Sequence, residues 1–235
     1  MANNSQGVDF EKMEAEMLPL RDFIDFVNAQ VGVYMDSLSG FDGNRVRVER
    51  QVARVIRPRP GLKEGKVVMM MESFEDPRSP EAIHHRIVAA DEFIAANSER
   101  GFNHRQLCWS VIVFIFAFWD EEIRPQIARV RGVEPNDIKV DALGDLRLLR
   151  KSIIHAKGVL SASDHAKLKK MADLVRPGER IALSHDEMQR LFAQTKQAIA
   201  ELLLAYTDHL PGAPDASSIT GVAIQTTKGR RWDPD

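Results

Sequence analysis

Arg150 and His155, five positions apart in R-K-S-I-I-H, carry most of the chemistry this sequence offers. Arginine is a permanent, forked cation suited to anionic oxygens. Histidine, with an ordinary pKa of about 6.5, takes or gives a proton near neutral pH. Together they suit a reaction that moves a proton beside a developing negative charge, and no metal is needed for that. On an ideal helix five residues turn through about 500°, so the two side chains point about 140° apart. They share one site only through the length of arginine or through a second subunit. A plainer role is open to each. Arg150 and Arg147 could pair with acids such as Asp145, and a cation near a helix C-terminus gains about 0.3–1 kcal/mol wherever it occurs.

The segment that must position the pair is D-A-L-G-D-L-R-L-L-R-K-S-I-I-H-A-K-G, Asp141 to Gly158. Ala142, Leu146, Leu149 and Ile153 recur at helical spacing, so one face of it packs into a core. Gly158 stands where a left-handed helix cap is cheapest. Upstream, Met17, Leu20, Ile24, Val27, Val31 and Tyr34 mark an amphipathic helix from Glu11 to about Leu38, restarted at Pro19. Gly40–Asn44 reads as a turn, and Arg45–Arg59 as a second helix with Val48, Val52, Val55 and Ile56 on one side. Val67–Met71 reads as a strand or part of an irregular insertion. Ser79 and Pro80 open a helix with Ile83, Ile87, Val88 and Phe93 inward, ending near Asn97. Asn103 caps a central helix, apolar nearly all round from Leu107 to Trp119, with a kink or restart at Pro125. Asn136 caps the approach to the 141–158 helix. Ser161 or Ser163 caps a short helix to about Val175, and Asp186–Leu210 forms a long last one. The expectation is a mostly α protein: residues 1–79 as N-terminal helices and an irregular insertion, 80–210 as a helical core, 211–235 as a loosely held tail.

Composition excludes several classes. Lys and Arg number 32 against 34 Asp and Glu, a net charge of −2 that does not announce a nucleic-acid binder. The single cysteine, Cys108, sits in an apolar run and supports no disulfide framework, which fits a reducing cytoplasm. The N-terminus lacks the basic start and apolar block of a signal peptide. The longest apolar run, Val111–Trp119, is about half of what spanning a bilayer takes. A soluble, cytoplasmic protein is expected.

Arg150-Lys-Ser-Ile-Ile-His155, with its D-L-R-x-L-R lead-in and the glycine behind it, resembles the R-x(4–6)-H motif of HEPN domains. The surroundings are similar too. An apolar helix ends in Phe118-Trp-Asp-Glu-Glu-Ile-Arg124 before the motif, and an I-x-L-S segment (Ile181–Ser184) leads into the last helix. The likeness covers roughly Gly101–Leu210; directly after the arginine stands Lys151, where members often carry Asn, Asp or His. HEPN domains are small helical bundles, and many are metal-independent RNA-cutting enzymes of toxin–antitoxin and antiphage systems. The resemblance therefore implies a HEPN-like bundle acting as an endoribonuclease, a toxin or a stress or antiviral effector. It implies a homodimer with a composite site, RNA as substrate, an antitoxin partner of nucleotidyltransferase type, and no cofactor. His155 would carry the proton while the ribose 2′-OH attacks the adjacent phosphate, and Arg150 would stabilise the phosphorane. Lys151, Ser152, Glu121 and Glu122 would support them. The alternative is a non-catalytic HEPN-like module for dimerisation or regulatory binding, and a third reading is a helical scaffold whose motif match is accidental.

Arg47, Arg50, Arg54 and Arg57, on the side opposite the valines, are candidates for gripping an RNA backbone; the plainer readings are a solvated face or a dock for the acidic Glu72–Asp76 segment. His84-His85 lacks metal-ligand spacing, because adjacent helical residues diverge by about 100°. No metal site is expected there.

Overall fold

The computed structural model describes residues 10–59, 61–62, 67–74 and 82–207. The chain is mostly α. In order come α1 (Phe10–Ile56), the strands β1 (Val68–Phe74) and β2 (Ala82–Ala89), then α2 (Ala90–Asn97) and α3 (Phe102–Phe118). A π-type turn (Trp119–Ile123) passes α3 into α4 (Arg124–Arg131), and α5 (Asp141–His155), α6 (Ala162–His165) and α7 (His185–Thr207) follow. Among the described residues, no helix is long and apolar enough to cross a membrane.

The expected turn at Gly40–Asn44 does not form; α1 is one helix of 47 residues, about 70 Å long. Each interior glycine costs about 1 kcal/mol against alanine, and the packing on either side outweighs that cost. Leu20, Phe23, Val27 and Tyr34 lie in the main core, and Val48 and Val52 in a second one. The turn itself is stapled, since Arg45 pairs with both Asp42 and Glu49 and Arg47 donates to Asn44. The helix also runs through Pro19 rather than restarting there. A bidentate pair from Arg131 to the fully buried Glu16, at 2.7 and 2.8 Å, fixes α4 against its first turns.

The helix expected from Pro80 is a strand up to Ala89. β2 pairs antiparallel with β1, Val88 opposite Met69 and Val68 opposite Ala89. Period two explains the pattern: Val88 is buried against Val48, Val52 and Phe93, while its neighbour Ile87 is exposed. For Val67–Met71 the strand alternative holds. Ser79 and Pro80 lie outside the described residues, as does everything beyond residue 207, including the expected tail. The first half of α1 shares the main core with α3, α4, α5 and α7, and its second half shares the small core with β2 and α2.

Caps differ in places. α3 begins at Phe102 behind Gly101, and Asn103 donates to the Asn97 side chain instead of capping. Asn136 sits in a short 3-10 turn and accepts from Arg124, while Val140 precedes α5 with no side-chain cap. The helix expected to reach Val175 stops after one turn, capped by Ser161. The reason lies in Asp145. Its carboxylate accepts the backbone N–H groups of Lys169, Lys170 and Met171, drawing that segment out of a helical path. α7 starts with a reciprocal box in which Glu187 N–H donates to Ser184 Oγ and Ser184 N–H to Glu187 Oε2.

Candidate functional site

α5 packs its Ala142–Leu146–Leu149 face into the main core, with Ile153 packed against its edge. Asp145 and Ser152 are buried on the flank of that face. Arg147, Lys151, Ile154 and His155 are exposed, and Arg150 is half-buried at one margin. From helical geometry, Arg150 and His155 stand at the two edges of the open strip, about 140° apart, with Arg147, Lys151 and Ile154 between them. Within one chain the pair does not converge.

Arg150 lays its guanidinium over the Phe116 ring, Cζ 5.8 Å from the centroid, a cation–π arrangement that fixes the arginine's direction. Its Nε is buried and has no hydrogen-bond partner among the described residues. Lys151 is engaged: its Nζ lies 3.0 Å from Asp164 Oδ2, and that hydrogen bond, with a weaker one from Lys167, lowers the Asp164 pKa below the usual carboxylate range. Ser152 donates to Leu148 O within the helix, a structural bond. Glu121 and Glu122 are exposed on the π-type turn, and the neighbouring Asp120 pairs with Arg124 at 2.8 Å.

The C-terminus of α5 is built tightly. Gly158, at φ +79°, donates its N–H to Ser152 O, and its own carbonyl accepts from Ile181 N–H. A Cβ there would lie 2.1 Å from the Trp109 ring. Trp109 is held in turn by its indole N–H, which donates to Ile181 O. The I-x-L-S segment is thus the clamp on the motif helix.

Arg47, Arg50 and Arg54 are exposed on the second half of α1, and Arg57 is exposed in the turn just beyond its end. The first three line a groove with Asp42, Gly43, Val46 and Gln51. They sit over the small core, and α5 belongs to the main one. His84 and His85 are consecutive on β2. Among the described residues no group of three or more His, Cys, Asp or Glu could hold a metal ion.

The structure also assembles groups that periodicity did not join. Tyr34 Oη lies 3.0 Å from His104 Nε2, and His104 Nδ1 accepts the Arg100 backbone N–H, so Nε2 is the protonated nitrogen and donates to Tyr34. His185 stacks on Tyr34, rings 5° from parallel. Burial raises the Tyr34 pKa, lowers that of His104 and pushes the Cys108 thiol up to about 12. Buried and hydrogen-bonded, this cluster stabilises the junction of α1, α3 and α7. The second overlooked feature is a groove of about 530 Å³ beside α5, rimmed by Arg124, Lys139, Arg147, Lys167 and Lys169. The one available hint was Asp145, an acid on the apolar side of an amphipathic helix.

Comparison with protein-family models, with curated proteins and with solved structures gives no match to this chain.

Proposed function

We propose that the protein is a metal-independent endoribonuclease of HEPN type that acts as a homodimer across α5. The observation that carries this reading is the exposed strip of α5. Arg147, Arg150, Lys151 and His155 share it, and it ends on a glycine that no other residue could replace without moving Trp109. Its two edges hold the two chemical roles apart, so a single chain offers an incomplete site. In a two-fold dimer over this strip the partner copy supplies the second histidine, so that base and acid are both available. Exposed Ile154, in the middle of the strip, gives that contact apolar surface. RNA supplies its own nucleophile, the 2′-OH, so the products carry 2′,3′-cyclic phosphate. The toxin, stress or antiviral role, the nucleotidyltransferase-type antitoxin and a cytoplasmic setting belong to this same proposal and rest on the motif.

The engagement of Lys151 by Asp164 favours the second reading, a non-catalytic HEPN-like module for dimerisation or regulatory binding, because it removes one cation from the strip. Light scattering of the purified protein, together with its incubation with total RNA in EDTA, separates the two. A dimer that cuts RNA supports the first reading, a dimer that cuts none supports the second, and a monomer at micromolar concentration contradicts the dimeric ribonuclease and leaves the second only as a regulatory binder.

A further inference from the structure

The groove beside α5 lies between the 136–141 segment, the first half of α5 and the 167–169 segment, over a floor of Phe116, Trp119, Ile138, Leu143 and Leu148. Its volume, about 530 Å³, is within the ~300–1,000 Å³ usual for ligand sites. Two acids reach it, and neither is free to repel an anion: Asp145 is saturated by three backbone N–H groups and Asp141 is paired with Lys169. Arg124 and Lys167 are balanced by Asp120 and Asp164. Lys139 and Arg147 are exposed, and among the described residues nothing neutralises either. Two unpaired cations over an apolar floor are notable in a chain of net charge −2.

From Arg147 the same stripe of α5 continues through Lys151 to His155, each step four residues and about 6 Å along the axis. A ligand seated in the groove therefore points towards His155, about 12 Å beyond Arg147. The occupant must offer repeated anionic groups to the rim and flat, weakly polar surface to the floor. Single-stranded RNA does both, phosphate to the lysine and arginine and a base against the apolar floor, whose side chains are themselves largely buried. We infer that this groove seats the stretch of single-stranded RNA flanking the bond presented to His155, with Lys139 and Arg147 as its phosphate contacts. The inference rests on the proposed ribonuclease reading, and its test is separable from that reading.

The experiment measures fluorescence anisotropy of a labelled ten-nucleotide single-stranded RNA on the His155→Ala protein, so that no cleavage intervenes. Adding Lys139→Glu with Arg147→Glu should weaken binding by about tenfold and cut the salt slope by about 1.4, two single-strand phosphate contacts. The milder Lys139→Gln with Arg147→Gln should fall between, with circular dichroism unchanged. Affinity and slope unaffected by both pairs would overturn the inference. So would equal competition by polyglutamate, which would make the groove an acidic-peptide site, or by mononucleotides, which would make it a free-nucleotide site. If wild-type protein cuts RNA and the double variant cuts with unchanged KM, the groove assignment fails and the ribonuclease reading stands. If wild-type protein cuts nothing and the double variant loses binding, the groove stands as a single-stranded RNA site and the ribonuclease reading fails.

Discussion

Replacing Asp145 with asparagine tests how the 167–171 segment is held against α5. The side chain keeps its shape, so no cavity opens and only charge and one acceptor are lost. Lys169 N–H lies 3.0 Å from each carboxylate oxygen, and Lys170 and Met171 N–H reach Oδ2 at 2.7 and 2.9 Å. A hydrogen bond to a charged group contributes about 1.5–3 kcal/mol against about 0.5–1.5 for a neutral one, so three donors lose roughly 1 kcal/mol each. An amide is cheaper to bury than a carboxylate, which returns part of this. The net expectation is a loss of about 2–3 kcal/mol. Urea unfolding followed by circular dichroism, with a slope of about 2 kcal/mol/M, should show the midpoint falling by about 1–1.5 M. A shift below about 0.25 M, equivalent to roughly 0.5 kcal/mol, would refute the claim that this carboxylate organises the segment.

Gly158→Ala combines a left-handed backbone with a methyl placed in the Trp109 ring, and should cost about 2–5 kcal/mol in the same assay; a change within about 0.5 kcal/mol would contradict the clamp. His104 is held neutral by burial, with Glu99, His185 and Arg100 as its charged or titratable neighbours. Its folded pKa lies below the unfolded value of about 6.5, so the unfolded chain binds the proton first, and stability falls below pH ~6.5 by at most about 1.4 kcal/mol per pH unit. His104→Gln should flatten that fall, and an unchanged pH profile would contradict the assignment. If the α1 arginines contact RNA, Arg47→Glu with Arg50→Glu should weaken binding uniformly across sequences and lower the salt slope by about 1.4; unchanged values would return them to a solvated face.

The course of α5 was legible because its apolar spacing, its glycine stop and its two chemical residues all coincide in one short segment. α7 was legible for the same reason, strong periodicity behind a Ser-x-x-Glu start. At Gly40–Asn44 local composition signalled a turn, but Tyr34 and Val48 each dock on a core and the helix between them is carried through. The strand at 82–89 reads as helix in the sequence because Ile83, Ile87 and Val88 fit helical spacing, whereas in the strand Ile87 and Val88 face opposite sides. Pairing with a distant segment decided it, and spacing does not contain that information. The groove cations were invisible for a related reason. Lys139, Arg147 and Lys169 come from three segments, and of these Asp145 ties the 169–171 stretch to α5 through backbone bonds.

The central claim is that Arg150 and His155 cut RNA without metal. Its most direct measurement is the rate at which wild-type protein, Arg150→Ala and His155→Ala cleave a defined RNA in EDTA, with the 3′ ends identified and the fold checked by circular dichroism. The account predicts cleavage by the wild-type protein to 2′,3′-cyclic phosphate. It also predicts losses of about 10²–10⁴-fold for the histidine variant and about 10²–10³-fold for the arginine variant, both still folded. Cleavage that needs added Mg²⁺, or full activity in both variants, would contradict it.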